Sequence, residues 1–152
     1  MKKIVFVILL CGVMVLAMTG CKNVKNKLDI GNKSDIKVSQ NDVIMTIKDG
    51  TLTNKSVTLI LTNNSDRKIQ YGSPYEIEIK KNGEWYKINA KLNFTLPLFI
   101  LESKKKSEFK LNFEEGYGKL PSGTYRVINK IDKEKEDGLF DSFYVSTEFT
   151  IK

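Results

Sequence analysis

The sequence predicts an all-β fold, an antiparallel β-sandwich of about seven to eight strands. Three observations lead there. From residue 41 onward apolar residues recur with a period of two, and turn signals punctuate the chain roughly every eight to twelve residues, the spacing expected of a sandwich. The pair Asn82-Gly83 lies between two alternating runs and is the strongest short hairpin signal available. Finally, Leu120-Pro121-Ser122-Gly123-Thr124-Tyr125 reads as a corner into a core strand. Pro121 fixes φ, Gly123 admits φ > 0, and Tyr125 enters the strand ring-inward with its hydroxyl turned back to the corner. Val127 stands where a disulfide-bearing sandwich would carry its second cysteine, so the corner is a disulfide-free version.

Taken in order, the chain opens on Met1-Lys2-Lys3 and an apolar run from Ile4 to Met18, of signal-peptide length and short for a membrane span. The run ends in Met18-Thr19-Gly20-Cys21, which resembles the bacterial lipoprotein box. That resemblance implies a signal peptide over residues 1–20, cleavage before Cys21, lipidation of Cys21, and a lipid anchor on the extracytoplasmic face of the bacterial cell membrane. Two or more acyl chains, at about 0.8 kcal/mol per buried methylene, hold a protein stably where one does not. Cys11 leaves with the leader and Cys21 is consumed by the thioether, so the mature domain has neither thiol nor disulfide and relies on its core. Residues 21–40 are polar, rich in lysine and without a period. They read as a flexible linker reaching on the order of 25 Å, whose lysines sit favourably near anionic headgroups.

The domain is expected over residues 41–152. Val43 to Ile47 forms a first strand, closed by Asp49-Gly50. Ser56 to Thr62 forms a second, with Val57, Leu59 and Leu61 on one face and Ile60 opposite, as in a strand covered on both sides. Asn63 to Asp66 turns the chain. In the hairpin from Tyr75 to Ile88, a two-residue turn sets Ile79 against Tyr86 on an apolar face, with Glu78 opposite Lys87 and Lys80 opposite Trp85 on the other. A three-residue turn with a bulge would instead set Ile79 against Trp85, a poorer pattern. Leu98 to Leu101 is a short apolar strand after Pro97, and Glu108 to Phe113 alternates cleanly. Tyr125 to Ile131 and Asp141 to Ile151 complete the set, with a charged loop between them from Asp132 to Gly138.

Composition narrows the chemistry. The formal charge is +7; without Lys2 and Lys3 it is +5, interspersed rather than gathered into a stripe, which argues against a nucleic-acid partner. Histidine is absent, and with no free thiol this excludes Ser–His–Asp and Cys–His catalysis and histidine-containing zinc sites. Adjacent Glu114 and Glu115 would point to opposite faces of a strand and cannot flank a glycosidic bond. Lysines interleave the carboxylates from Asp132 to Asp137, unlike a calcium loop. No catalytic, cofactor or metal residues are therefore assigned. Trp85, Phe94 and Phe99 are the candidate contact residues, weighed against a plain role in the core.

Val57 to Asp66, Tyr71-Gly72, Asn82 to Tyr86 and Tyr117 to Arg126, in that order, resemble the bacterial immunoglobulin-like domains of small lipoproteins and membrane-attached proteins. The resemblance spans about residues 43–151. It implies an immunoglobulin-like β-sandwich at the cell surface and carries over no functional residue. The expected role is non-enzymatic, binding or supporting an unknown envelope protein or polymer. The same skeleton also resembles a small bacterial proteinase-inhibitor family. That second resemblance implies a loop presented to a protease, for which residues 92–99 are the candidate.

Overall fold

The computed structural model describes residues 27–39, 42–91 and 97–152. The leader, Cys21 and Phe94 lie outside the described residues. Among the described residues, nine strands and one helical turn follow in order: β1 (Ile30–Lys33), β2 (Val43–Ile47), β3 (Ser56–Asn63), β4 (Ile69–Lys81), β5 (Glu84–Ile88), β6 (Leu98–Leu101), β7 (Lys106–Asn112), α1 (Phe113–Gly116), β8 (Gly123–Glu134) and β9 (Phe140–Ile151). They form two antiparallel sheets of unequal size. One has three strands in the order β2-β3-β7, and the other has six, β1-β5-β4-β8-β9 with β6 also joined to β4. The sandwich is the expected one, with a strand more than expected.

Alternation builds the core. Val57, Leu59 and Leu61 on β3 face Ile77 on β4 and Tyr125, Val127 and Ile131 on β8, all fully buried. Aromatic rings tie the sheets together: Phe113 stacks on Phe149 with centroids 5.6 Å apart, and Phe149 on Tyr125 at 5.5 Å. Ile60, expected to be covered, is only half-buried; it pairs with Thr46 and Glu108 on the outer face of the three-stranded sheet.

The hairpin takes the two-residue turn. Asn82 (φ 51°) and Gly83 (φ 83°) both adopt the left-handed conformation that type I′ requires. Ile79 pairs with Tyr86, Glu78 with Lys87 and Lys80 with Trp85. β4 has β8 along one side, but on the other β6 reaches only Gly72 and β5 begins at Glu78. The Tyr117 hydroxyl bridges this gap, accepting from the Ile77 N–H at 3.3 Å and donating to the Tyr75 carbonyl at 3.1 Å. Burial raises the Tyr117 phenol well above its ordinary value, and the neighbouring Tyr75 adds to this. Burial and then Glu115 push Tyr75 up to about 12.

The corner is present, with one revision. Tyr125 donates its hydroxyl to the Pro121 carbonyl at 2.7 Å, and burial pushes its phenol up to about 12. Gly123, however, is not left-handed; Gly118, at φ 72°, is. A Cβ on Gly123 would lie 3.3 Å from the Tyr125 ring, so glycine is there to let backbone and ring approach closely. Two other segments differ from expectation. The charged loop expected from Asp132 to Gly138 begins later, at Lys135, since β8 runs to Glu134 and pairs with β9 to its end. Phe113 to Gly116 coil into a helical turn capped by the Asn112 side chain on the Glu114 N–H.

The largest revision concerns the linker. Its described part, residues 27–39, is laid onto the domain. Ile30 pairs with Ile88 and Lys33 with Tyr86, and the Asn89 N–H bonds the Asp29 carbonyl at 2.8 Å. Next, Ser34 N–H bonds the Trp85 carbonyl on β5, and Ser39 N–H bonds the Tyr144 carbonyl on β9, each at 2.8 Å. β5 and β9 are three inter-strand steps apart, about 14 Å. The five residues from Ser34 to Val38, four extended steps, reach about as far, and Val38 then bridges Tyr144 in parallel. The chain thus crosses the outer face of the six-stranded sheet as a strap. No sequence period marks it, because its hold is through backbone bonds and ion pairs.

Tyr125→Phe keeps the ring stack and removes the corner bond. Urea unfolding should show a loss of about 1–2 kcal/mol; a change below about 0.5 kcal/mol, ordinary for a surface site, would contradict the role given to the hydroxyl.

Candidate functional site

Three surfaces stand out, and the topology sets where each lies. The first is the outer face of the six-stranded sheet under the strap. Glu78 on β4 and Arg126 on β8 are directly paired across the strands. Glu78 is completely buried and Arg126 nearly so, although alternation places both on the outer face. The guanidinium donates to Glu78 Oε2 from Nε at 2.7 Å and Nη2 at 2.6 Å. Glu78 Oε1 is buried with no hydrogen-bond partner among the described residues. Ile128, next on the same face, is also buried and lies outside the main core cluster.

The strap covers this row. Arg126 Nη2 reaches Ser34 Oγ at 3.5 Å, and Lys87 pairs with Asp35 at 3.4 Å. Asp35 is held below the ordinary carboxylate value by its own backbone hydrogen bond and then by Lys87. Burial pulls Lys87 down, but Glu76, Asp35 and Glu78 together outweigh it and raise its pKa. Trp85 is half-buried here, with the Arg126 guanidinium 4.7 Å and the Lys80 ammonium 5.0 Å from its ring. Alternation could not have revealed the buried pair, since a Glu and an Arg on a face otherwise polar read as solvated.

The second surface is β6 and its surroundings. Leu98 and Ile100 point outward, while Phe99 points inward and rests on Tyr71 with ring centroids 5.4 Å apart. Even so, all three are exposed, Phe99 least at 43%. Leu139 and Phe140, at the β8–β9 turn, are exposed too. That turn lies at the same end of the sheet, since Ile69 pairs with both Leu101 and Lys133. β6 is locked by Asn63, a fully buried amide whose Nδ2 donates to the Arg67, Leu101 and Glu102 carbonyls. A hollow of about 240 Å3 adjoins it, lined by Gly72, Pro74, Pro97, Leu98, Lys130 and Asp132. Of the two candidate contact residues that are described, Phe99 belongs to this patch. Trp85 is on β5, away from it.

The third is an open cleft of about 910 Å3 at the opposite end of β4. Leu28, Ile30, Ile79, Leu120 and Pro121 form its apolar floor, and Lys27, Lys81 and Lys119 stand at its rim. None of its lining residues is acidic. No group of three or more metal-ligating side chains occurs among the described residues.

Two antiparallel sheets closed by a tyrosine corner define an immunoglobulin-like sandwich. The model of the bacterial Ig-like domain family matches residues 39–150, and the chain belongs to that family. Its members are in general not catalysts. A search of curated proteins finds no match. Among solved structures, a Bordetella pertussis protein solved under the name ApaA is similar at 17% identity and a TM-score of 0.46, over 76% of this chain and 96% of that one. A protein from Archaeoglobus fulgidus is similar at 17% identity and a TM-score of 0.27, over 75% and 98%. Likenesses this loose bear on neither ligand nor activity.

The buried pair can be tested directly. Glu78→Gln leaves the Arg126 charge without its counterion and should cost about 3–5 kcal/mol in urea unfolding. Replacing both residues with apolar side chains, Glu78→Leu with Arg126→Met, should recover most of that loss. A Glu78→Gln variant as stable as the parent would contradict the geometry.

Proposed function

We propose that the chain is a lipid-anchored module on the extracytoplasmic face of the cell membrane, acting by binding rather than catalysis. The anchor is read from the apolar leader and Thr19-Gly20-Cys21. The binding role is carried by one observation: the exposed apolar side chains Leu98, Phe99, Ile100, Leu139 and Phe140 gather at one end of the six-stranded sheet. Scattered exposed apolar residues are ordinary, but a gathered set marks a contact surface. β6 adds an edge that pairs with β4 alone among the described strands, to which an extended segment of an envelope partner can add.

The inhibitor reading comes second. It requires residues 92–99 to stand clear of the sandwich, yet Leu98 and Phe99 are paired with Gly72 and Tyr71 on β4. Residues 92–96, including Phe94, lie outside the described residues.

Intact mass on membrane-extracted protein should give a chain beginning at Cys21 with diacylglyceryl attached, and Cys21→Ala should lose it. A photo-cross-linker at Leu98 should give a discrete adduct in native membranes, whereas one at Lys110, exposed on the other sheet, should not. An unlipidated mature chain would overturn the anchor, and equal labelling from both positions would overturn the contact surface.

A further inference from the structure

The linker revision changes where the domain can sit. With residues 27–39 bound to the sandwich, only the stretch between Cys21 and Lys27 separates an anchored cysteine from the cleft rim. Six residues reach at most about 22 Å, so the cleft stays near the membrane surface. β6 meets β4 at Gly72, nine residues from Lys81. At about 3.3 Å per residue this places the apolar patch about 30 Å away, at the far end of the same strand.

The rim fits what lies beneath it. Lys27, Lys81 and Lys119 are exposed. Among the described residues, Lys27 and Lys81 have no carboxylate within ion-pair distance, and Lys119 has only Glu114 at 4.0 Å. Ammonium groups above an apolar floor match an amphiphile whose anionic head joins an apolar body. Basic residues near an anionic leaflet are drawn to it within about a Debye length, and lysine stems can lie along apolar surface while their heads meet phosphate.

We propose that this cleft is a seat for an anionic phospholipid of the bilayer that carries the anchor. The three ammonium groups meet the headgroup phosphate, and the floor takes the glyceryl shoulder and first methylenes. The proposal rests on the anchor reading. It makes the domain stand on the membrane in one orientation, cleft down and β6 outward, rather than swing on a tether.

Lysine footprinting tests it. The mature chain, extracted from membranes and weighed intact, is reconstituted in vesicles of phosphatidylcholine alone or with phosphatidylglycerol, then briefly acetylated. Lys27, Lys81 and Lys119 should react several-fold more slowly on the anionic vesicles, with Lys104 and Lys106 unchanged. High salt should abolish the protection, as should Lys81→Glu with Lys119→Glu, which should also free Lys27. Both replaced side chains are exposed, so the variant should keep its melting temperature. Equal rates on the two vesicle types would overturn the seat while leaving the anchor standing. So would protection independent of lipid charge, which would mean cover by the chain's own residues or a second copy. If the mass shows no lipid, the anchor reading fails, and the same footprint with vesicles added to the unlipidated chain decides the cleft by itself.

Discussion

Most of the architecture depends on the central strands β4 and β8 being buried on both faces. Their inner face meets the three-stranded sheet through Ile77 and Val127, and their outer face carries the Glu78–Arg126 pair and Ile128. A charge pair withdrawn from water needs low-dielectric cover and good geometry to avoid being a liability. Here the cover comes from residues 34–39, crossing from β5 to β9, and from the Trp85 ring against the guanidinium. The pair and the strap therefore require each other. Without the strap the carboxylate and guanidinium would be rehydrated, and without the pair the strap would lose the Arg126 contact to Ser34 beneath it.

This coupling has consequences for the whole molecule. Residues 27–39, which would otherwise read as tether, are part of the fold. The two ends of β4 then acquire different surroundings. One end holds a basic cleft close to where the chain leaves the domain, and the other holds β6, clamped by the Asn63 amide and rich in exposed apolar side chains. The sheet between them keeps the two surfaces at opposite ends of one strand.

Much of the fold was legible because it rests on local rules. Asn82-Gly83 marks the hairpin, and the cleaner apolar face favours the two-residue register that sets Ile79 against Tyr86 over a bulged one. Alternation locates β2, β3 and β9 closely, the apolar run after Pro97 locates β6, and the Tyr125 hydroxyl bond follows from its place after Pro121. What escaped the sequence depends on partners distant along the chain. Glu78 and Arg126 look like surface residues until the strap is laid over them. β1 is four residues of undistinguished composition whose existence depends on the free edge of β5. Gly123 follows a proline as a turn glycine does, yet its φ is not positive and its role is contact with the Tyr125 ring. Of the candidate contact residues, Phe99 lies in the exposed patch, and Trp85 lies between two cations on another face.

Residues 27–39 belong to the folded domain. Amide hydrogen exchange on the mature chain measures this directly. The N–H groups of Ser34, Ser39 and Asn89, bonded to Trp85, Tyr144 and Asp29, should exchange far more slowly than unstructured peptide. Exchange of Ser34 and Ser39 at the rate of a free linker, while the amides of β4 and β8 stay protected, would contradict it.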